Sequence, residues 1–344
     1  MKGVIALDLE GPLSPMDLAF ELMGLRKDGD KVFAVISRYD DLLTLEQKPG
    51  YEPGDTLRLI IPFLVYWGIT ERHIFEVSSR ASLVDGAKEL IEILRKEEWK
   101  VYVASTSYEQ HAISIAQRLG ILGGFWSKGK NVFSTKFPLD KYQKELRNED
   151  FSIVARHEKF ILDHLYSEDL ASGKNDREIR YILDLFYWLL PRRFQEVVTK
   201  VKVMGGRRKV EAIDKICRRE KIERKNLVVV GDSITDFEML KAVKEAEGLA
   251  IAFNANEYAL PYANIGIAST NLHHLKLVLD AWLKGEGKIR KVRAAVLARP
   301  SRKARVALPE PPYYSWIGEK VSPEVMGYHK ECRKLVRGKA ARLG

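Results

Sequence analysis

Three apolar runs in this chain end in polar groups suited to phosphorus chemistry. Lys2–Leu7 leads into Asp8-Leu9-Glu10, Trp99–Ala104 into Ser105-Thr106-Ser107, and Leu227–Val230 into Gly231-Asp232-Ser233-Ile234-Thr235-Asp236. A fourth element, Lys209, opens a helical pattern after Gly205-Gly206. Three or four carboxylates at one sheet edge repel each other unless a cation neutralises them, and all-oxygen ligands with retained waters suit Mg²⁺. A hydroxyl, nearby backbone N–H groups and a lysine supply donors for a phosphoryl group. Brought together, these residues make a metal-assisted phosphoryl-transfer site.

The elements that must position them read as an α/β fold. Short, continuous apolar runs with polar C-terminal ends are the mark of strands buried on both faces of a parallel sheet. Weaker runs follow at Leu249–Phe253 and Ile265–Ala268. Helical spacing fills the gaps: Ala87, Leu90, Ile91 and Leu94 share one face, as do Val210, Ile213, Ile216 and Cys217. The alternation predicts a doubly wound parallel sheet with ligands at the carboxyl ends of its strands. Two intervals are too long for simple crossovers. The expected division is a core of residues 1–13, 81–120 and 204–284, a helical cap at 14–80, a second insertion at 121–203 and a basic C-terminal extension at 285–344. Ser14-Pro15 opens the cap, which is broken at Pro49–Gly54. The second insertion reads as a hairpin at Asn131–Phe137 followed by helices. In the extension, a Pro/Tyr-rich stretch from Pro309 to Trp316 precedes a weakly amphipathic basic helix, Pro323–Arg337.

Composition narrows the classes. The 344 residues are 46% hydrophobic and 30% charged, the balance of an ordinary globular chain. The longest apolar stretches, Leu59–Ile69 and Tyr181–Leu190, fall short of the roughly 20 residues that cross a bilayer. With no leader pattern at the N-terminus, a cytoplasmic location is expected. Cys217 and Cys332 are the only cysteines, which excludes a disulfide framework and a cysteine-based zinc site. The net charge of +10 is uneven: Lys284–Gly344 holds 16 Lys/Arg against 5 Asp/Glu, so the body is close to neutral. The basic residues of the extension are interrupted by prolines and lack an aromatic stacking pattern, which argues against nucleic acid. A folded extension covering the body is expected, with a protein partner or a homo-oligomer as its other use.

The motifs resemble those of the haloacid dehalogenase-like (HAD) superfamily in its phosphoserine-phosphatase-like branch. Asp8-Leu9-Glu10-Gly11-Pro12-Leu13, Arg38-Tyr39-Asp40-Asp41, Ser105-Thr106-Ser107-Tyr108 and Gly231–Asp236 are similar to archaeal members of that branch. The resemblance covers roughly residues 1–280. It implies a HAD-like sheet with a cap, and hydrolysis of a phosphate monoester of a small metabolite.

The same resemblance implies roles. Asp8 would be the nucleophile and form an aspartyl-phosphate. Glu10 would be the general acid and base, a role worth roughly 10²–10⁴-fold. Ser105, or its neighbour Thr106, would bind the phosphoryl oxygens together with Lys209. Asp8, the Glu10 carbonyl, Asp232 and Asp236 would hold Mg²⁺, Asp236 directly or through water. The superfamily's phosphatases usually carry Asp where this chain has Glu10, so the carboxyl here reaches a methylene further. Arg38, Asp40 and Asp41 are candidate substrate contacts, with a helix-surface ion-pair cluster as their other reading. Asn254 is expected to brace the loop beside the metal, with substrate contact as its alternative. A rival for the whole chain is a catalytically weak accessory protein, of the kind linked to energy-converting hydrogenases.

Overall fold

The computed structural model describes residues 3–122, 129–298, 312–318 and 320–342. The first three residues of the Pro/Tyr-rich stretch, Pro309–Pro311, lie outside these residues. A seven-stranded sheet organises the molecule. Its strands are β1 Val4–Leu7, β2 Lys100–Tyr108, β3 Val132–Thr135, β4 Val228–Gly231, β5 Leu249–Phe253, β6 Ile265–Ala268 and β7 Tyr313–Trp316, in the spatial order β3-β2-β1-β4-β5-β6-β7. All neighbours are parallel except β6 and β7. β1 lies between β2 and β4, with Leu7 level with Val103 and Val230. The register therefore sets the three polar strand ends side by side.

Strand alternation divides the interior. Ile5, Leu7, Val101, Val103, Val228 and Val230 face one side, packing against helices Ala87–Lys96, Glu109–Arg118, Leu275–Lys284 and Ile289–Leu297. Val4, Ala6, Tyr102, Ala104 and Val229 face the other, against helices Arg207–Glu220 and Phe237–Glu245. The period of two that sorts side chains onto the faces of a sheet is visible in every central strand. Gly3 sits where Trp99 crosses the sheet; a Cβ there would lie 2.3 Å from the indole ring.

The hairpin expected at Asn131–Phe137 is instead the single strand β3, parallel to β2. Val103 N donates to Asn131 O at 2.8 Å, so the segment satisfies the free edge of β2 rather than folding back on itself. The helices on either side of this strand share one hydrophobic core. Leu18, Ile36, Tyr39, Phe63 and Ile74 pack with Phe137, Val154, Leu183, Phe186 and Phe194. Tyr39 stacks on Tyr187 at 5.8 Å between centroids, and Tyr187 OH donates to Leu59 O at 2.8 Å. The two long intervals thus form a single helical body beside the sheet.

The C-terminal region extends the sheet. β7 pairs antiparallel with β6, and helix Pro323–Arg337 packs over β6 with His329, Cys332, Arg333 and Arg337 buried. Its inward face joins these polar groups to Val325, Met326 and Val336, which pack against the core. Among the described residues no helix is long and apolar enough to cross a membrane.

Candidate active site

The strand ends meet as the register requires. Asp8 follows β1; its N–H donates to Val230 O at 2.9 Å, which ties the end of β1 to β4. Its Oδ1 accepts from Leu9 N at 2.8 Å and lies 3.0 Å from Lys209 Nζ. Gly11, at φ 108°, lets the chain turn against Asp232, where a Cβ would lie 2.3 Å from Oδ2. Asp236 folds back on its loop: Oδ2 accepts from Asp232 N at 3.0 Å and Ser233 N at 3.2 Å, and Oδ1 accepts from Lys209 Nζ at 2.6 Å. Lys209 is wholly buried at the start of helix Arg207–Glu220. Burial alone would lower its pKa, but Asp236 and Asp8 outweigh that and hold the ammonium protonated. Burial and the repulsion of Asp236 raise Asp8 well above the usual carboxylate range, against the pull of Lys209.

Carboxylate oxygens of Asp8, Asp232 and Asp236 lie within 4.8 Å of one another. That donor set fits Mg²⁺, a hard cation that prefers oxygen ligands. Asp232 Oδ1 supports the fit, being buried without a hydrogen-bond partner among the described residues. Both oxygens of Asp236, in contrast, are taken by protein donors, which suits a brace or a ligand acting through water.

Asp232 Oδ2 carries what sequence reasoning missed. Arg333 Nη1 and Arg337 Nη1, the latter at 3.1 Å, both donate to it from the C-terminal helix. Arg333 also donates to Asp232 O at 3.3 Å, Asn254 O at 3.4 Å and Ala341 O at 3.1 Å. Burial raises the Asp232 pKa while these guanidiniums oppose it. Three buried carboxylates are thereby matched by three buried cations, Lys209, Arg333 and Arg337. The available signal was spacing: His329, Arg333 and Arg337 recur every four residues, which places them on one helical face.

The remaining candidates separate. Glu10 Oε1 accepts from Leu18 N at 3.1 Å, and burial together with Asp17 pushes its pKa up to about 7. Ser105 is buried, its Oγ accepting from Ser107 N at 3.1 Å; Thr106, one residue on, turns into the cavity, its Oγ1 without a hydrogen-bond partner among the described residues. Asp40 also reaches the cavity and accepts a hydrogen bond from Tyr51 OH. Arg38 instead grips Asp176 through two bonds of 2.8 and 2.7 Å, with Asp41 at 3.9 Å, as a helix-surface cluster. Asn254, at φ 47°, exchanges bonds of 2.7 and 2.8 Å with the Ser269 backbone and braces that loop.

The cavity in front of Asp8 has a volume of about 90 Å³. Asp8, Glu10, Thr106 and Thr235 line it from the sheet side, Asp17, Ser37, Asp40 and Thr56 from the helical body, and Arg337 from the C-terminal helix. A small chamber of this kind, lined by carboxylates and hydroxyls, has room for a phosphoryl-sized group.

Comparison with known proteins bears on the family and the fold. A curated phosphoserine phosphatase from Archaeoglobus fulgidus is 24% identical over 280 residues, covering 81% of this chain and 60% of that protein. The solved structure of gene product AF1437 from Archaeoglobus fulgidus superposes with a TM-score of 0.82 at 27% identity, covering 100% of this chain and 99% of that one. A phosphoserine phosphatase in its apo form shares the fold, with a TM-score of 0.50 at 16% identity over 80% of this chain and 98% of its own. Residues 85–274 match the family model for haloacid dehalogenase-like hydrolases. The chain belongs to the haloacid dehalogenase-like hydrolase family.

Proposed function

We propose that this protein is a Mg²⁺-dependent phosphohydrolase that cleaves a phosphate monoester of a small metabolite through an aspartyl-phosphate. The observation that carries the reading is Asp8 beside a buried, protonated Lys209, facing a cavity of about 90 Å³. Its closest contacts, Leu9 N and Lys209 Nζ, both fall on Oδ1, which leaves Oδ2 to attack phosphorus. The attack forms an Asp8–phosphorus bond as the ester oxygen departs. Lys209 offsets charge on Asp8 and on the phosphoryl oxygens, and the Thr106 hydroxyl, which faces the cavity, donates to them. Glu10, held at the start of helix Leu18–Met23, gives its proton to the leaving oxygen and then takes one from the water that opens the acyl phosphate. With a pKa near 7, it holds both forms in useful amounts at neutral pH. Mg²⁺, when bound by Asp8, Asp232, the Glu10 carbonyl and, directly or through water, Asp236, would supply Lewis-acid stabilisation of the developing charge. In this reading the helical body is the cap that keeps bulk water from the intermediate.

The test is hydrolysis of p-nitrophenyl phosphate and of a panel of phosphorylated metabolites by the purified protein. Turnover should require Mg²⁺, stop in excess chelator and vanish in Asp8→Asn, a nearly isosteric change that keeps the fold. Turnover retained by folded Asp8→Asn would end the mechanism.

A further inference from the structure

We propose that Arg337, brought in by the C-terminal helix, is a substrate-binding residue that grips the phosphoryl group in the cavity in front of Asp8. The inference rests on the phosphohydrolase reading above and adds to it a ligand from outside the family's motif positions.

The charge of the cavity wall is the first argument. Asp8, Glu10, Asp17 and Asp40 all line it, whereas Arg337 is the one basic side chain among its described lining residues. A phosphate dianion entering a chamber walled by carboxylates needs a cation that faces the chamber. Lys209 is wholly buried behind Asp8 and Asp236 and is absent from the lining.

The second argument is that the bond from Arg337 to Asp232 is redundant. Arg333 already meets the same oxygen, Oδ2, and is fastened by three carbonyls as well. Arg337 adds a second guanidinium at 3.1 Å, stands 3.9 Å from Asp17, and has its Nε buried without a hydrogen-bond partner among the described residues. Its side chain is only 5% exposed, so a donor is being held dry and unused at the edge of the cavity. Guanidinium is planar and presents paired N–H donors that match phosphate oxygens, a fit that an ammonium lacks. Arg333 positions Asp232; Arg337 remains to bind the anion.

The experiment measures binding of inorganic phosphate in the presence of Mg²⁺ by calorimetry, with melting curves on every variant. Wild type should bind, and Arg337→Met should raise Kd by about 10- to 100-fold, the effect of losing a charge-assisted bond. Arg337→Lys, which keeps the charge but loses the fork, should fall between them. Lys334→Ala, an exposed charge on the same helix, should bind as wild type does, which separates a local contact from general attraction. If Arg337→Met does not fold, Arg337→Lys decides: weakened binding supports the contact and unchanged binding overturns it. Wild-type affinity in folded Arg337→Met overturns this proposal while leaving the phosphohydrolase reading intact. Absence of both phosphate binding and turnover in wild type overturns both.

Discussion

Asp8 and Asp232 stand at the ends of adjacent parallel strands, yet their charges are met from different parts of the chain. Asp8 is met by Lys209, 201 positions away, which it shares with Asp236, a residue of the lysine's own strand-and-helix unit. Asp232 is met by Arg333 and Arg337, 101 and 105 positions away. The electrostatic problem is the same in both places, since a buried carboxylate must be paired or give up its charge. The solutions differ in what else each cation touches. Lys209 is bonded to Asp8, the proposed nucleophile, and to Asp236, whereas Arg333 is bonded mostly to backbone carbonyls. Losing the lysine should therefore be felt in turnover, and losing the arginine in stability.

Lys209→Met should produce the largest change. With Nζ gone, Asp8 loses its direct ion pair among the described residues, and turnover of any good substrate should fall by about 10²–10³-fold, the usual cost of one preorganised donor. A loss of less than about fivefold in a folded variant would remove the distinction between the two cations. Arg333→Met is its counterpart. Arg337 still meets Asp232, so the cost should be roughly 2–4 kcal/mol of stability, at or below that of fully breaking a buried pair. The site has then lost a positive charge, and Mg²⁺ should raise the melting temperature of Arg333→Met by more than it raises that of wild type. An equal rise in both proteins would mean that Arg333 and the ion do not share Asp232.

These two regions were not equally legible beforehand. Asp8, Glu10, Ser105, Lys209, Asp232 and Asp236 were readable because each follows a short apolar run or opens a periodic helix, so local pattern alone puts them at one sheet edge. Thr106 illustrates the limit of that argument, since only the strand's twist and register decide which of two adjacent hydroxyls turns into the cavity. Arg333 and Arg337 were hidden for a different reason. A helix face of His329, Arg333 and Arg337 has the composition of a solvated surface, and burying it depends on finding Ala255 N, Asn254 O and Asp232 above the sheet. No local signal names those partners. β3 was misread as half of a hairpin for a related reason, because its pairing with β2 is parallel and long-range.

His329 offers the smallest and most specific test of how the C-terminal helix is held. Its Nδ1 accepts from Ala255 N at 2.9 Å, and Gly266 gives it room: a Cβ there would lie 2.6 Å from Nε2. Burial pushes its pKa down from 6.5 to about 3, so the folded protein keeps the imidazole neutral as the pH falls. An unfolded chain binds the proton below about 6.5. The contribution of His329 is therefore complete above that pH and is lost progressively towards 3, by roughly 2 kcal/mol on reaching pH 5. His329→Asn keeps a side-chain oxygen near the Ala255 N–H and removes the titration. The difference in melting temperature between wild type and His329→Asn should thus narrow or reverse from pH 7 to pH 5, as wild type alone loses this term. A difference that stays constant over that range would show that the imidazole is not held neutral, and that the helix is anchored over the site by its arginines alone.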